Sequence, residues 1–441
     1  MNSASLSRRK FLKNALAATA AVAAPTIVPA SVFGANAPSN RIALGCIGVG
    51  RMGQGDLRSF MGFPEIQVVA VCDVDSNRAK DALRIVEQKY AADKASGTYK
   101  GCAVTGDFRE VTSRKDVDAV MICTPDHWHV LPAIAAAKAG KDIFLQKPLS
   151  LTIEEGRMLS DAVRRYGRVL LVGCQRRSDS RCRFGCELVR NGRIGQLHTV
   201  KVGTGADPGT GLYPPTPPPE NLDYDMWLGP APWKPYIEQR VHPQKGYGRP
   251  GWLRVSDYSA GMVTGWGTHF MDIAHWGMGT ELTGPIEIEG EAEFPKDGVW
   301  DVHGPFRIEC KYANGVKVIY GDSRQVQQGI RFEGTEGWVR VGHGQIEAEP
   351  KSLLTSKIKP GEIHLYESRN HKGNLIDCIK TRAETVAPVE VGHRTCSACL
   401  LGDIAMRLGR KLHWDPDRER FVNDPEADRW IGRPMRGAWR L

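Results

Sequence analysis

Two side chains in this 441-residue sequence are of types that proton chemistry needs: Lys147, within Gln146-Lys147-Pro148, and His269, three residues before Asp272. Removing hydride from an alcohol carbon requires the hydroxyl proton to leave while negative charge grows on oxygen. A lysine stabilises that oxygen, and an imidazole takes the proton near neutral pH. His269 and Asp272 stand at i and i+3, on one face of a helix, so Asp272 is expected to orient the ring. A third constellation is a binding one. The apolar run Ile42 to Ile47 leads into Gly48-x-Gly50-x-x-Gly53, with Arg51 and Met52 inside the turn and a helix to Phe60 after it. Strand, tight turn and helix in that order present free backbone N–H groups to a pyrophosphate.

The first half of the chain alternates strands and helices. Apolar runs at Ile66–Cys72, Ala103–Thr105, Asp118–Cys123, Asp142–Leu145 and Val169–Val172 are separated by helical stretches. The last of those helices opens at Thr152-x-x-Glu155, a capping box. Such alternation means right-handed crossovers and a doubly wound parallel sheet, whose ligands lie beyond the carboxyl ends of the strands. Gly48, Asp73, Thr124 and Lys147 all fall at those ends. Asp73 lies 20 residues past Gly53, where a dinucleotide fold places the acid that bonds the adenosine ribose. A carboxylate there disfavours the extra phosphate of NADP, so NAD is the expected cofactor.

These residues resemble the Gfo/Idh/MocA oxidoreductase family. The likeness rests on the glycine turn, Cys72-Asp73, Thr124-Pro125 with His129, Gln146-Lys147-Pro148, Trp227-Leu228-Gly229-Pro230 and Trp266-Gly267-Thr268-His269. It implies an N-terminal Rossmann domain over 40–173 and a C-terminal α+β domain over 174–441, with an open, mostly antiparallel sheet that pairs subunits in a homo-oligomer. It implies cofactor contacts from Gly48, Gly50, Arg51, Met52, Gly53, Asp73, Thr124, Pro125, His129, Gln146 and Lys147, and catalysis by Lys147 and His269 with Asp272. The substrate class it implies is a sugar, sugar derivative or cyclitol, oxidised or reduced at a secondary hydroxyl or keto group. Two positions depart from the family pattern: Gln146 replaces a glutamate, and Gly265 replaces an aspartate four residues before the histidine. These departures keep open a second reaction, in which a recycled, tightly bound NAD supports net glycoside hydrolysis through oxidation and elimination.

The second half carries a Pro/Gly-rich stretch at 207–219, readable as a surface loop or a cleft wall. The aromatics Tyr213, Trp227, Trp233, Tyr236, Tyr247 and Trp252 are readable as sugar platforms, core or subunit contacts. Gly265–Asp272, within Gly261–Gly277, resembles the family's helix start, and five strand-like runs between Ile286 and Val341 include a hairpin at Asn314-Gly315. The arginine-rich end, Arg429–Arg440, reads equally as an arm or a packed tail.

Residues 1–37 read as a leader. Ser7-Arg8-Arg9-Lys10-Phe11-Leu12-Lys13 and the alanine-rich Ala15–Ala24 match a twin-arginine export signal, which implies the twin-arginine machinery as partner and a periplasmic or otherwise exported location. Four of the nine net positive charges lie there, and the remaining +5 shows no basic run interleaved with aromatics, which argues against a nucleic-acid partner. No membrane span is expected in the mature chain. The eleven cysteines are odd in number and mostly sit in apolar runs, a pattern of buried hydrophobes more than of disulfides or a metal site.

Overall fold

The computed structural model describes residues 41–342 and 344–441; the expected leader lies outside them. The first half is a six-stranded sheet in the order β3-β2-β1-β4-β5-β6: β1 (Ile42–Ile47), β2 (Ile66–Cys72), β3 (Ala103–Thr105), β4 (Ala119–Ile122), β5 (Asp142–Leu145) and β6 (Leu170–Val172). Every pairing is parallel. β4 and β5 are buried at all four positions, as expected of strands covered on both faces by helices. The strand order reverses between β1 and β4, and the crevice beyond that switch point is where such sheets bind ligands.

The helix Ile153–Arg165 begins where the capping box placed it, with Thr152 accepting from the Glu155 amide at 3.3 Å. The Glu155 carboxylate also accepts from Arg433 Nε at 2.8 Å, a part-buried pair with the C-terminal tail, and backbone hydrogen bonds at Leu151 and Thr152 help to oppose the upward push of burial on it.

The second half builds a nine-stranded sheet in the order β13-β12-β11-β7-β10-β9-β8-β14-β15. Its strands are β7 (Leu197–Thr204), β8 (Glu287–Ala292), β9 (Phe306–Lys311), β10 (Lys317–Asp322), β11 (Gly329–Gly334), β12 (Gly337–Gly342), β13 (Gln345–Glu349), β14 (Leu412–Asp415) and β15 (Arg420–Phe421). Only β7 and β10 run parallel; the other pairings are antiparallel. Helices Gly267–Met278 and Val389–Leu408 pack against this sheet, and one hydrophobic core runs continuously through both halves. Leu222, Tyr224, Trp227, Tyr236 and Tyr258 form a smaller, separate core under the segment between β7 and Met262. No helix among the described residues is long and apolar enough to cross a membrane.

The segment around His269 forms two helices, Met262–Gly265 and Gly267–Met278. A Cβ at Gly267 would lie 2.4 Å from the Tyr320 hydroxyl, so only glycine lets the chain approach β10 there. The interruption leaves the Gly265 carbonyl outside a regular helical ladder.

Candidate active site

The glycine turn is shaped by contact with the neighbouring strand end. Gly48 has φ +79°, and a Cβ there would lie 2.7 Å from the backbone of Cys123 and Thr124. A Cβ on Gly53 would lie 2.0 Å from the Gly48 carbonyl oxygen, which fixes how closely helix Arg51–Phe60 packs on β1. No side chain caps that helix at Gly50, so its first-turn N–H groups face the cleft.

Asp73 closes the turn. It accepts from Val49 N at 2.9 Å and Asp75 N at 3.0 Å. Burial pushes its carboxyl up, and these two amides together with the charges of His242 and Arg78 oppose that. Thr124 Oγ1 is buried without a partner at the switch point. A cradle that a Cβ would fill, an uncapped ten-residue helix, a carboxylate at the end of β2 and an unpartnered hydroxyl together fit a dinucleotide.

A cleft of about 530 Å³ joins these groups to the rest of the site. It is lined by Gly48, Gly50, Arg51, Met52, Asp73, Thr124, Pro125, His129, Gln146, Lys147 and His269; Gly53 stands behind it and Asp272 outside it. From the second half, Met226, Trp227, His242, Arg249 and Trp252 complete the wall. Of the aromatics singled out in the sequence, Trp227 and Trp252 face this cleft and Tyr236 is core, whereas Tyr213 and Trp233 are exposed. Tyr247 donates to Asp81 at 2.9 Å and lies under Arg78. The 207–219 stretch does not reach the cleft lining.

Lys147, at the end of β5, donates from Nζ to the Gly265 carbonyl at 2.7 Å. Burial lowers its pKa, while the charge of Asp126 raises it. His129 is a brace: its ring nitrogens stand 2.6 Å from Pro148 O and 3.0 Å from Thr124 O, joining the loops after β4 and β5, and burial pulls its pKa down to about 4. Gln146 donates to Asp56 at 2.7 Å, and Asp56 also pairs with Lys372 at 2.7 Å. A glutamate at 146 would set two buried carboxylates against each other, which gives the departure at that position a local cause.

His269 lies on the cleft wall and also borders a polar pocket of about 610 Å³ lined by Arg176, Ser178, Asp179 and Arg181. Asp272 does not play the expected orienting part. Both of its oxygens accept from Arg177 Nε, at 2.9 and 2.8 Å, and Thr395 stands 3.4 Å away. The pair is buried, with Arg177 also held by Glu281 at 2.8 Å, and it fixes helix Gly267–Met278 to the turn that follows β6.

Asp126 is the residue that sequence reasoning passed over. It lies between Thr124 and His129, and its chemistry depends on burial that spacing does not reveal. It is 2% exposed, lines the cleft, and has Oδ2 without a partner. Burial pushes its carboxyl up to about 7, against the Lys147 charge and the Ser259 hydroxyl.

A dinucleotide cradle continuous with a lysine and a histidine defines the class, a nicotinamide-dependent oxidoreductase with an added α+β domain. Residues 42–174 match the description "Oxidoreductase family, NAD-binding Rossmann fold", and residues 207–441 match "Oxidoreductase family, C-terminal alpha/beta domain". The chain belongs to the Gfo/Idh/MocA oxidoreductase family.

Among its relatives, a myo-inositol 2-dehydrogenase of Thermotoga maritima is 32% identical over 41% of this chain and 47% of its own length. An alpha-N-acetylgalactosaminidase of Shewanella oneidensis is 33% identical over 36% of this chain and 37% of its own. Both matches therefore span less than half of the relative. The WlbA dehydrogenase of Bordetella pertussis, solved with NADH and UDP-GlcNAcA, superposes with a TM-score of 0.59 at 17% identity, over 85% of this chain and 99% of that one. That likeness is one of fold.

Proposed function

We propose that the chain oxidises or reduces a secondary hydroxyl or keto group of a sugar, sugar derivative or cyclitol, with NAD in preference to NADP. The observation that carries this reading is that Lys147 and His269, from opposite halves, line one cleft with the glycine turn. The nicotinamide supplies the hydride acceptor or donor when bound. Helix Arg51–Phe60 orients the pyrophosphate through its N–H groups, and Asp73 takes the ribose hydroxyls. Lys147 Nζ donates to the substrate oxygen, and His269 holds the proton that leaves it. The polar pocket beyond His269 receives the outer part of the substrate.

The N-terminal pattern supports twin-arginine export, a route for folded proteins that suits a cofactor bound tightly before transit. The open second sheet supports a homo-oligomer. The glycosidase among the relatives favours one alternative, net hydrolysis with the cofactor regenerated in each cycle.

The test is to incubate purified protein with NAD and panels of sugars, cyclitols and glycosides. Stoichiometric NADH without cleavage supports the dehydrogenase. Cleavage without cofactor consumption transfers the assignment to the redox hydrolase. Mass spectrometry of the denatured protein shows whether nucleotide co-purifies.

A further inference from the structure

Lys147 faces titratable groups from several elements: Asp126 after β4, Asp56 on helix Arg51–Phe60, Arg249 from the second half, and the Cys174 thiol and His129 imidazole, which burial keeps uncharged. Its hydrogen-bond acceptor, the Gly265 carbonyl, is neutral. Gln146 brings no charge, and Gly265 brings no side chain. A Cβ there would meet nothing within 4 Å, so the cleft beside Lys147 is open on that side. Asp56 is already matched by Lys372, Gln146 and the Cys123 thiol, which donates at 3.3 Å. Asp126 is different: it is almost fully buried, lines the same cleft, and keeps one carboxylate oxygen without a partner.

We propose that Asp126 is the counter-charge of Lys147, a positioning residue that keeps the ammonium charged inside the cleft so that it can donate to the substrate oxygen. The donor part rests on the oxidoreductase reading above; the charge pairing does not. Neither of the two departures from the family pattern contributes a carboxylate, and the turn after β4 brings one to the cleft that Lys147 lines.

The attraction is mutual. Burial alone strips charge from both groups, and each raises the charged fraction of the other. The Asp126 turn is itself held rigid, because His127 N donates to Tyr258 O at 3.2 Å and Arg433 donates to His127 O at 2.9 Å.

The experiment is competitive labelling of the full chain with a small amine-acylating reagent across pH, reading Lys147 against surface lysines by peptide mass spectrometry. The variants are Asp126→Asn and Asp126→Glu, with circular dichroism and thermal melts to confirm folding. In Asp126→Asn the labelling midpoint of Lys147 is expected to fall by about one pH unit, which is about a tenfold rise in reactive amine at a fixed pH below it. Asp126→Glu restores most of the original midpoint. An unchanged midpoint in a folded Asp126→Asn protein overturns the proposal. The alkaline limb of kcat/KM is then compared. If it moves down with the midpoint, Lys147 donates as an ammonium; if labelling shifts and the limb does not, the pairing stands and the donor role fails.

Discussion

Lys147 Nζ donates to the Gly265 carbonyl at 2.7 Å, so the lysine of the nucleotide-binding half is tied to the segment that leads into the His269 helix of the other half. One hydrogen bond across the cleft thus joins Lys147 to the segment that precedes His269. Lys147→Ala is expected to lower kcat by roughly 10²- to 10³-fold, the usual cost of losing a donor to a developing oxyanion. Nucleotide affinity, followed by fluorescence titration, should stay close to wild type, because the glycine turn is untouched. Wild-type turnover would remove Lys147 from the chemistry.

Gln146→Glu places a carboxylate against Asp56 in a buried site. The expected loss is about 1–3 kcal/mol of stability, softened by Lys372, and it shows as a lower melting temperature. Adding Asp56→Asn should recover it. A variant as stable as wild type would mean that the site tolerates both charges.

The glycines of the turn are not equivalent. Gly53→Ala drives a methyl to 2.0 Å from the Gly48 carbonyl, whereas a Cβ on Gly50 has Arg78 at 3.6 Å as its nearest neighbour. Gly53→Ala should cost about 1–3 kcal/mol and weaken nucleotide binding, and Gly50→Ala should fold like wild type. Equal melting curves for the two would refute the packing argument.

Much of the nucleotide half was legible in the sequence because a buried parallel strand is a continuous apolar run, and all six runs from Ile42 to Val172 became strands. The glycine spacing and Asp73 were legible for the same local reason. The second sheet was legible only in part. Gln345-Ile346-Glu347-Ala348-Glu349 is a polar edge strand, and Leu412–Asp415 is too short to show a period. The partner of Asp272 lies 95 positions away and that of Gln146 lies 90 away, so helical spacing offered His269 as the neighbour of Asp272 while the fold supplied Arg177. Asp126 was visible as a residue and invisible as a charge, since burial is a tertiary property.

Arg177 and Asp272 form a buried ion pair, both side chains 3% exposed or less. Asp272→Asn leaves Arg177 partly uncompensated and is expected to cost about 3–5 kcal/mol, read by chemical denaturation. If Asp272 serves the fold through Arg177, the variant that remains folded keeps most of its kcat. A collapse of kcat with unchanged stability would return Asp272 to the chemistry.

Glu419 bridges helix Ile153–Arg165 and helix Val389–Leu408 through Arg157, Arg394 and His393, at 2.8, 3.1 and 2.7 Å. Burial would raise its carboxyl, but the His393 and Arg157 hydrogen bonds outweigh that and hold it at about 2. The folded value lies below the unfolded one of about 4.3, so this stability is present above pH ~4.3 and is lost as pH falls toward 2. Glu419→Gln should be less stable at pH 7 and show a shallower loss across that acid window. Parallel acid curves for the two proteins would exclude Glu419 from the transition.

The turn bearing Asp126 is braced from the far end of the chain. Arg433 donates to His127 O across 306 positions of sequence, and the Trp439 ring packs 4.8 Å from Trp128. A contact that distant in sequence is among the slowest to form, because so much chain must be ordered before its ends can meet. The first half can collapse around its own strands early, but the turn that bears Asp126 gains these two contacts only when the tail arrives. Tight occupancy of the cleft would then report that folding has run to its end.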